Sequence, residues 1–138
     1  METRRGFVRL GGDVMRRDLD LVRAILLDVE DAAGAVPLSA LSYDGKTPAE
    51  IGHHVELMAH HGLLDATVTR DWGGDVVGGS IKAMTWDGCD YLDAVRSPKV
   101  WSETKRSVRD AVGETTLSVV RRCAEAIALR MVEASLGA

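Results

Sequence analysis

Thr47-Pro48-Ala49-Glu50 and Gly62 fix the two ends of one helix, and this constrains the fold more tightly than anything else in the chain. A hydroxyl, then Pro at the first helical position, then Glu at the third, is a capping box. The Thr oxygen accepts from a free N–H of the first turn, and the Glu carboxylate reaches back to the Thr amide. Gly62 supplies the left-handed residue that stops the helix. Between them Ile51, Val55, Met58 and Leu57 form an inward stripe. Residues 63–69 follow at once, alternating and β-branched, and predict a strand. Gly73-Gly74 and Gly78-Gly79 bracket a mobile loop, and residues 81–85 return as a second strand. Helix and hairpin are thus joined with no linker between them.

Upstream, Leu19, Val22, Ile25, Leu26 and Val29 recur at three- and four-residue spacing. That is an amphipathic helix opening at Asp18 and stopping at Gly34. Residues 36–43 contain Pro37 and predict a loop or short edge strand. Downstream, Thr85 caps a helix through Val95 with Tyr91, Leu92 and Val95 apolar. Ser97-Pro98 ends it and caps the next, which carries Trp101, Val108 and Val112 and stops at Gly113. The last helix starts at Thr115 or Thr116. Its Leu117, Val120, Ala124, Ile127 and Met131 alternate spacings of three and four, a heptad seam. Such a seam serves a homodimer, or packs the helix on its own chain.

The fold expected is α+β and mostly helical. A helix, a short strand or loop, a capped helix and a hairpin in that order are the plan of a winged helix-turn-helix. It would occupy residues 15–96 with a wing of two or three strands. An arm over 1–14 precedes it, and two extra C-terminal helices over 97–138 pack on it or dimerise. Residues 51–64 are similar to the recognition helix and first wing strand of ArsR-type repressors, whose pattern x-x-H-L-x-x-L-x-x-x-G-L-[IV] is matched by His54, Gly62 and Leu63, with the apolar Val55, Met58 and Leu64 at its other fixed positions.

A longer resemblance runs over roughly residues 15–135. Met15-Arg16-Arg17-Asp18-Leu19-Asp20-Leu21-Val22-Arg23-Ala24-Ile25-Leu26-Leu27 resembles the start of domain-of-unknown-function family 2513, associated with phages and prophages. Met84-Thr85-Trp86-Asp87-Gly88-Cys89-Asp90-Tyr91-Leu92-Asp93-Ala94-Val95-Arg96 resembles that family's L-T-W-[ED]-G-x-[DE]-[FY]-L-[DE]-x-x-R block, and Trp101 to Lys105 its next segment. The resemblance implies a winged-helix fold, a bacterial or phage cytosol and no particular activity. It also implies a usual start at Met15, which makes residues 1–14 either an added arm or a start-codon misassignment.

Charge decides between partners. The net charge is −4, which excludes binding to nucleic acid by bulk positive charge. Residues 24–96 hold four basic and twelve acidic residues, a net of −8, whereas residues 1–23 and 97–138 are each at +2. On the leading reading, a regulator that binds double-stranded DNA, Thr47, Glu50, Gly52, His53 and Glu56 face away from the inward stripe and read bases. Arg70, Trp72 and Lys82 on the hairpin reach phosphate or the minor groove, and Arg4, Arg5 and Arg9 form a basic arm. Against it, residues 47–61 contain no Lys or Arg, and Glu50 and Glu56 repel phosphate. The alternative is an acidic modulator that binds a host protein, such as an anti-CRISPR-like inhibitor of a host defence system. A merely solvated acidic surface needs neither partner.

Other classes find little support. His53, Glu56 and His60 share a helical face, but i to i+7 spans about 10.5 Å, too far for one metal. The glycine pairs lack the G-K-[ST] of a phosphate loop, and Ser, His and Asp form no nucleophile elbow. The expectation is therefore no enzyme, no cofactor and no metal. No apolar run approaches the ~20 residues of a membrane span, the N-terminal residues lack the apolar core of a signal peptide, and two cysteines suit reduced thiols. A cytoplasmic protein of a bacterial host cell is expected.

Overall fold

A computed structural model describes residues 17–112 and 116–137, apart from the side chains of 110–112. The arm expected over 1–14, with Arg4, Arg5 and Arg9, lies outside them. Among the described residues the fold is α+β, with five α-helices and one three-stranded antiparallel sheet. The described residues form two compact units that divide between Gly88 and Cys89.

In the first unit, α1 (Leu19–Asp31) opens at Asp18, whose carboxylate accepts from the Leu21 amide at 3.1 Å. Leu21, Val22, Ile25, Leu26 and Val29 are buried. The helix closes at Ala32, ahead of Gly34. Then come β1 (Val36–Pro37), a 3-10 turn over Leu38–Ala40, and α2 (Pro48–His61). Both halves of the Thr47–Glu50 capping box form, and Gly62 ends α2 at φ 95°. β2 (Leu64–Arg70) and β3 (Val76–Met84) make the hairpin. The two-residue β1 pairs with β3, so the sheet order is β1-β3-β2. Pro37 sits on that edge strand, where its missing N–H costs no ladder bond.

The hairpin loop is shorter than the glycine pairs predict. Gly78 and Gly79 lie within β3, opposite Thr69 and Val68, and do not bound a mobile loop. The close strand approach explains this: Gly79 has φ 141°, and a Cβ there would run into the Thr67 carbonyl. The turn itself is closed by Asp71 and Asp75. Each backbone amide donates to the other residue, to a carbonyl at 2.9 Å and to the Asp71 carboxylate at 3.0 Å.

The base of the hairpin is pinned. The Thr85 amide donates to the Leu63 carbonyl at 3.0 Å, and its hydroxyl donates to the Gly62 carbonyl at 2.5 Å. The same hydroxyl accepts from the Gly88 amide at 3.0 Å, which caps α3 (Trp86–Val95). Gly88 lies in the first turn of α3 because a Cβ there would overlap the Leu63 carbonyl and meet Met84 Cγ at 2.6 Å.

The second unit holds most of α3, with α4 (Pro98–Val112) packed on α5 (Leu117–Gly137). α4 buries Val100, Trp101, Thr104 and Val108, and the Thr104 hydroxyl donates to the Val100 carbonyl at 2.7 Å. α5 buries Val120, Ala124 and Ile127. Arg121 reaches Asp90 at 3.5 Å and Glu125 at 3.3 Å. Tyr91 is buried, its hydroxyl has no hydrogen-bond partner among the described residues, and burial pushes the phenol up. Among the described residues, no helix is long and apolar enough to cross a membrane.

Two glycines should respond differently to a methyl group. Gly88→Ala is expected to lower stability by about 1–3 kcal/mol through overpacking against backbone. Gly34→Ala, where a Cβ meets nothing within 4 Å, stays within about 0.5 kcal/mol. Urea unfolding followed by circular dichroism checks both.

Candidate functional site

The candidate surface is the outer side of α2 with the hairpin that follows it. Its geometry begins with His54, which is buried and makes two ring hydrogen bonds. Nε2 lies 2.8 Å from the Asp18 amide and Nδ1 lies 2.8 Å from the Glu50 carbonyl. An amide can only donate and a carbonyl only accept, so Nε2 is the acceptor and Nδ1 carries the proton. The ring therefore ties the start of α1 to the first turn of α2.

Asp18 carries a second tie. Its carboxylate caps α1 and also meets Lys46 Nζ at 2.5 Å, one residue before the cap of α2. Burial pushes this carboxyl up, but Lys46 and the Leu21 and Asp20 amides together outweigh it and hold it below the usual value. Lys46 is raised in turn by its bond to Asp18. Tyr43 donates to Asp28 at 2.6 Å, and burial and that carboxylate push its phenol up.

These ties settle which side of α2 stays free. Ile51, Val55 and Met58 are buried. Gly52, expected on the outer side, is buried as well: a Cβ would meet Val76 Cγ1 at 2.6 Å. Its lack of a side chain lets β3 approach the helix, so it reads no base. Thr47 is exposed at the cap, though its hydroxyl already accepts from the Glu50 amide at 3.1 Å. Glu50 returns that bond at 3.4 Å. His53 is half-buried, with its ring edge-on to His54 at 6.0 Å.

Glu56 and Arg70 are the pair that spacing did not reveal. Arg70, at the end of β2, forms an ion pair with Glu56 on α2 and donates also to the Gly74 carbonyl. Helix, strand end and turn thus meet at one guanidinium. Trp72 stands fully exposed on the turn, and Lys82 is exposed on β3. The seam candidates lie elsewhere. Val120, Ala124 and Ile127 are buried within the one chain, and Leu117 and Met131 are half-buried.

A family model, described as "Hypothetical protein (DUF2513)", matches residues 16–114. The chain belongs to the DUF2513 family. It is similar to an uncharacterized protein of Haemophilus influenzae, 26 % identical over 123 residues that cover 86 % of this chain and 99 % of that one. No solved structure matches it significantly. Several of the residues by which the DUF2513 resemblance is visible have structural work in this chain. Asp18 caps α1 and holds both Lys46 and His54. Gly62 and Leu63 receive Thr85, and Gly88 packs against Leu63. Trp86, by contrast, is largely exposed at the start of α3.

The His54 tie predicts a contrast between neighbours. His54→Ala should cost about 2–3 kcal/mol, since it opens a cavity and strands a donor. His53→Ala should stay within about 0.5 kcal/mol. Asp18 sets a pH dependence. Its carboxyl is lowered in the folded chain, so its contribution is full above the ordinary carboxylate value of about 4 and is lost as pH falls through the lower folded value. The stability difference between wild type and Asp18→Asn should therefore shrink as pH falls below about 4. Urea midpoints across that range check both predictions.

Proposed function

We propose that the first unit is a winged helix and that this non-enzymatic protein, of the phage and mobile-element type, acts as a regulator that binds double-stranded DNA. α2 would enter the major groove and the β2–β3 hairpin would be the wing. The observation that carries the reading is the placement of free surface. α2 is anchored along one side by Ile51, His54, Val55 and Met58, while Thr47 and His53 remain accessible and the hairpin turn projects Trp72. The Glu56–Arg70 pair also weakens the main electrostatic objection. Arg70 offsets a carboxylate that would otherwise repel phosphate. Lys82, and Arg4, Arg5 and Arg9 outside the described residues, would supply contacts to the backbone.

One observation favours the alternative, an acidic modulator that binds a host protein. α2 carries no Lys or Arg, and Arg70 is committed to Glu56, whereas Trp72, Val77 and Trp86 expose apolar surface in the same unit. Exposed aromatics suit a protein partner.

Fluorescence anisotropy separates the two. The probes are a labelled random duplex and the DNA upstream of the gene, at about 50 mM and about 200 mM salt. Salt-sensitive binding that prefers the upstream DNA is expected. His53→Ala and Arg70→Ala should each weaken it about tenfold, and Glu56→Gln, which releases Arg70, should strengthen it at the lower salt. Negligible binding at the lower salt by wild type and variants alike defeats the DNA reading. A stoichiometric host protein retained by the wild type and lost in Trp72→Ala would then establish the alternative.

A further inference from the structure

α5 has two apolar faces, and among the described residues only one is buried. Val120, Ala124 and Ile127 are buried. On the other side Val119 is 45 % exposed, Leu129 57 %, Val132 53 % and Leu136 81 %, and Ala126 is exposed as well. Val119, Ala126, Leu129 and Leu136 fall, with Arg122 and Glu133, into a second heptad seam of alternating three- and four-residue steps, and Val132 lies beside it. It runs the length of a 21-residue helix. Four of its six positions are apolar. The other two carry opposite charges, and neither Arg122 nor Glu133 is in an ion pair among the described residues.

We propose that this face docks on the same face of a second copy of the chain, with the two α5 helices antiparallel. The charge order selects both the partner and the direction. Two such helices about a twofold axis between Ile127 and Ala128 bring Val119 opposite Leu136, Arg122 opposite Glu133 and Ala126 opposite Leu129. Each pairing occurs twice, as an isologous interface requires. The two ionic layers flank a centre in which the small Ala126 receives the larger Leu129. The parallel, in-register alternative sets Arg122 on Arg122 and Glu133 on Glu133, so like charges oppose each other in two layers. The seam is therefore complementary to itself in the antiparallel direction only. The inference is independent of what the α2 surface binds.

Light scattering on the full chain during gel filtration, over a range of concentrations, tests it. The wild type should rise from the 14.9 kDa of one chain to twice that mass and no further. Leu129→Asp, on the exposed side of the helix, should stay at one chain with an unchanged helical spectrum. Arg122→Glu should raise the dimer dissociation constant by about tenfold or more, and adding Glu133→Arg should restore association to within about threefold of wild type. One-chain mass at every concentration overturns the proposal, as does assembly beyond two chains or a dimer indifferent to Leu129→Asp. A dimer that Arg122→Glu weakens but the double reversal does not rescue rules out the antiparallel pairing.

Discussion

The imidazole of His54 holds the first unit together in the sense that most of its other features follow from how that ring is placed. Its Nε2 accepts from the Asp18 amide and its Nδ1 donates to the Glu50 carbonyl. Both are backbone groups at the starts of helices, and the Asp18 amide, at the cap of α1, has no helical partner of its own. The ring satisfies one of them and binds α1 to α2. It also sets the roll of α2. A turn of one residue, about 100°, would carry His54 out of the core and bring His53 in, breaking both bonds. With the roll fixed, Ile51, Val55 and Met58 face the core, Gly52 faces Val76, Thr47 is left to solvent and His53 is half-buried.

The far end of α2 has its own fastening. Gly62 turns the chain, and the Gly62 and Leu63 carbonyls accept from Thr85, whose hydroxyl then caps α3 at Gly88. The base of the hairpin is closed there, while its tip is held to the helix through Arg70 and Glu56. That exposed pair contributes about 0–1 kcal/mol. Its larger consequence is chemical. It removes from the α2 surface a negative charge and, from the hairpin, a cation that phosphate would otherwise meet. Recognition by this surface then rests on polar and aromatic groups more than on charge, whichever macromolecule it meets.

Much of this was legible in the sequence, and the parts that were not have physical reasons. The capping box, the stop at Gly62 and the Thr85 cap are local chemistry, fixed by residues three or four apart. Periodicity gives the buried faces of α1, α2 and α5 for the same reason. Long-range contacts leave fainter marks. Gly52 sits on the outward side of a helical wheel and is buried because β3 crosses it, which no spacing within α2 encodes. Gly78 and Gly79 carry loop composition but serve a close strand approach. Gly88 had a readable signal, a glycine in the first turn of a helix, where it costs stability unless another backbone needs the space. The Arg70–Glu56 pair joins residues on different elements and has no sequence period. The buried seam on α5 was the more regular of its two, yet the exposed one carries the charge pattern.

The central claim is that His54 clamps α1 to α2, and nitrogen-detected magnetic resonance of the ¹⁵N-labelled histidine rings tests it most directly. The account predicts that His54 shows a protonated Nδ1 and an unprotonated, hydrogen-bonded Nε2, with the Asp18 amide protected from exchange. A protonated Nε2, or averaged tautomers together with a freely exchanging Asp18 amide, would contradict it and leave the orientation of α2 without its cause.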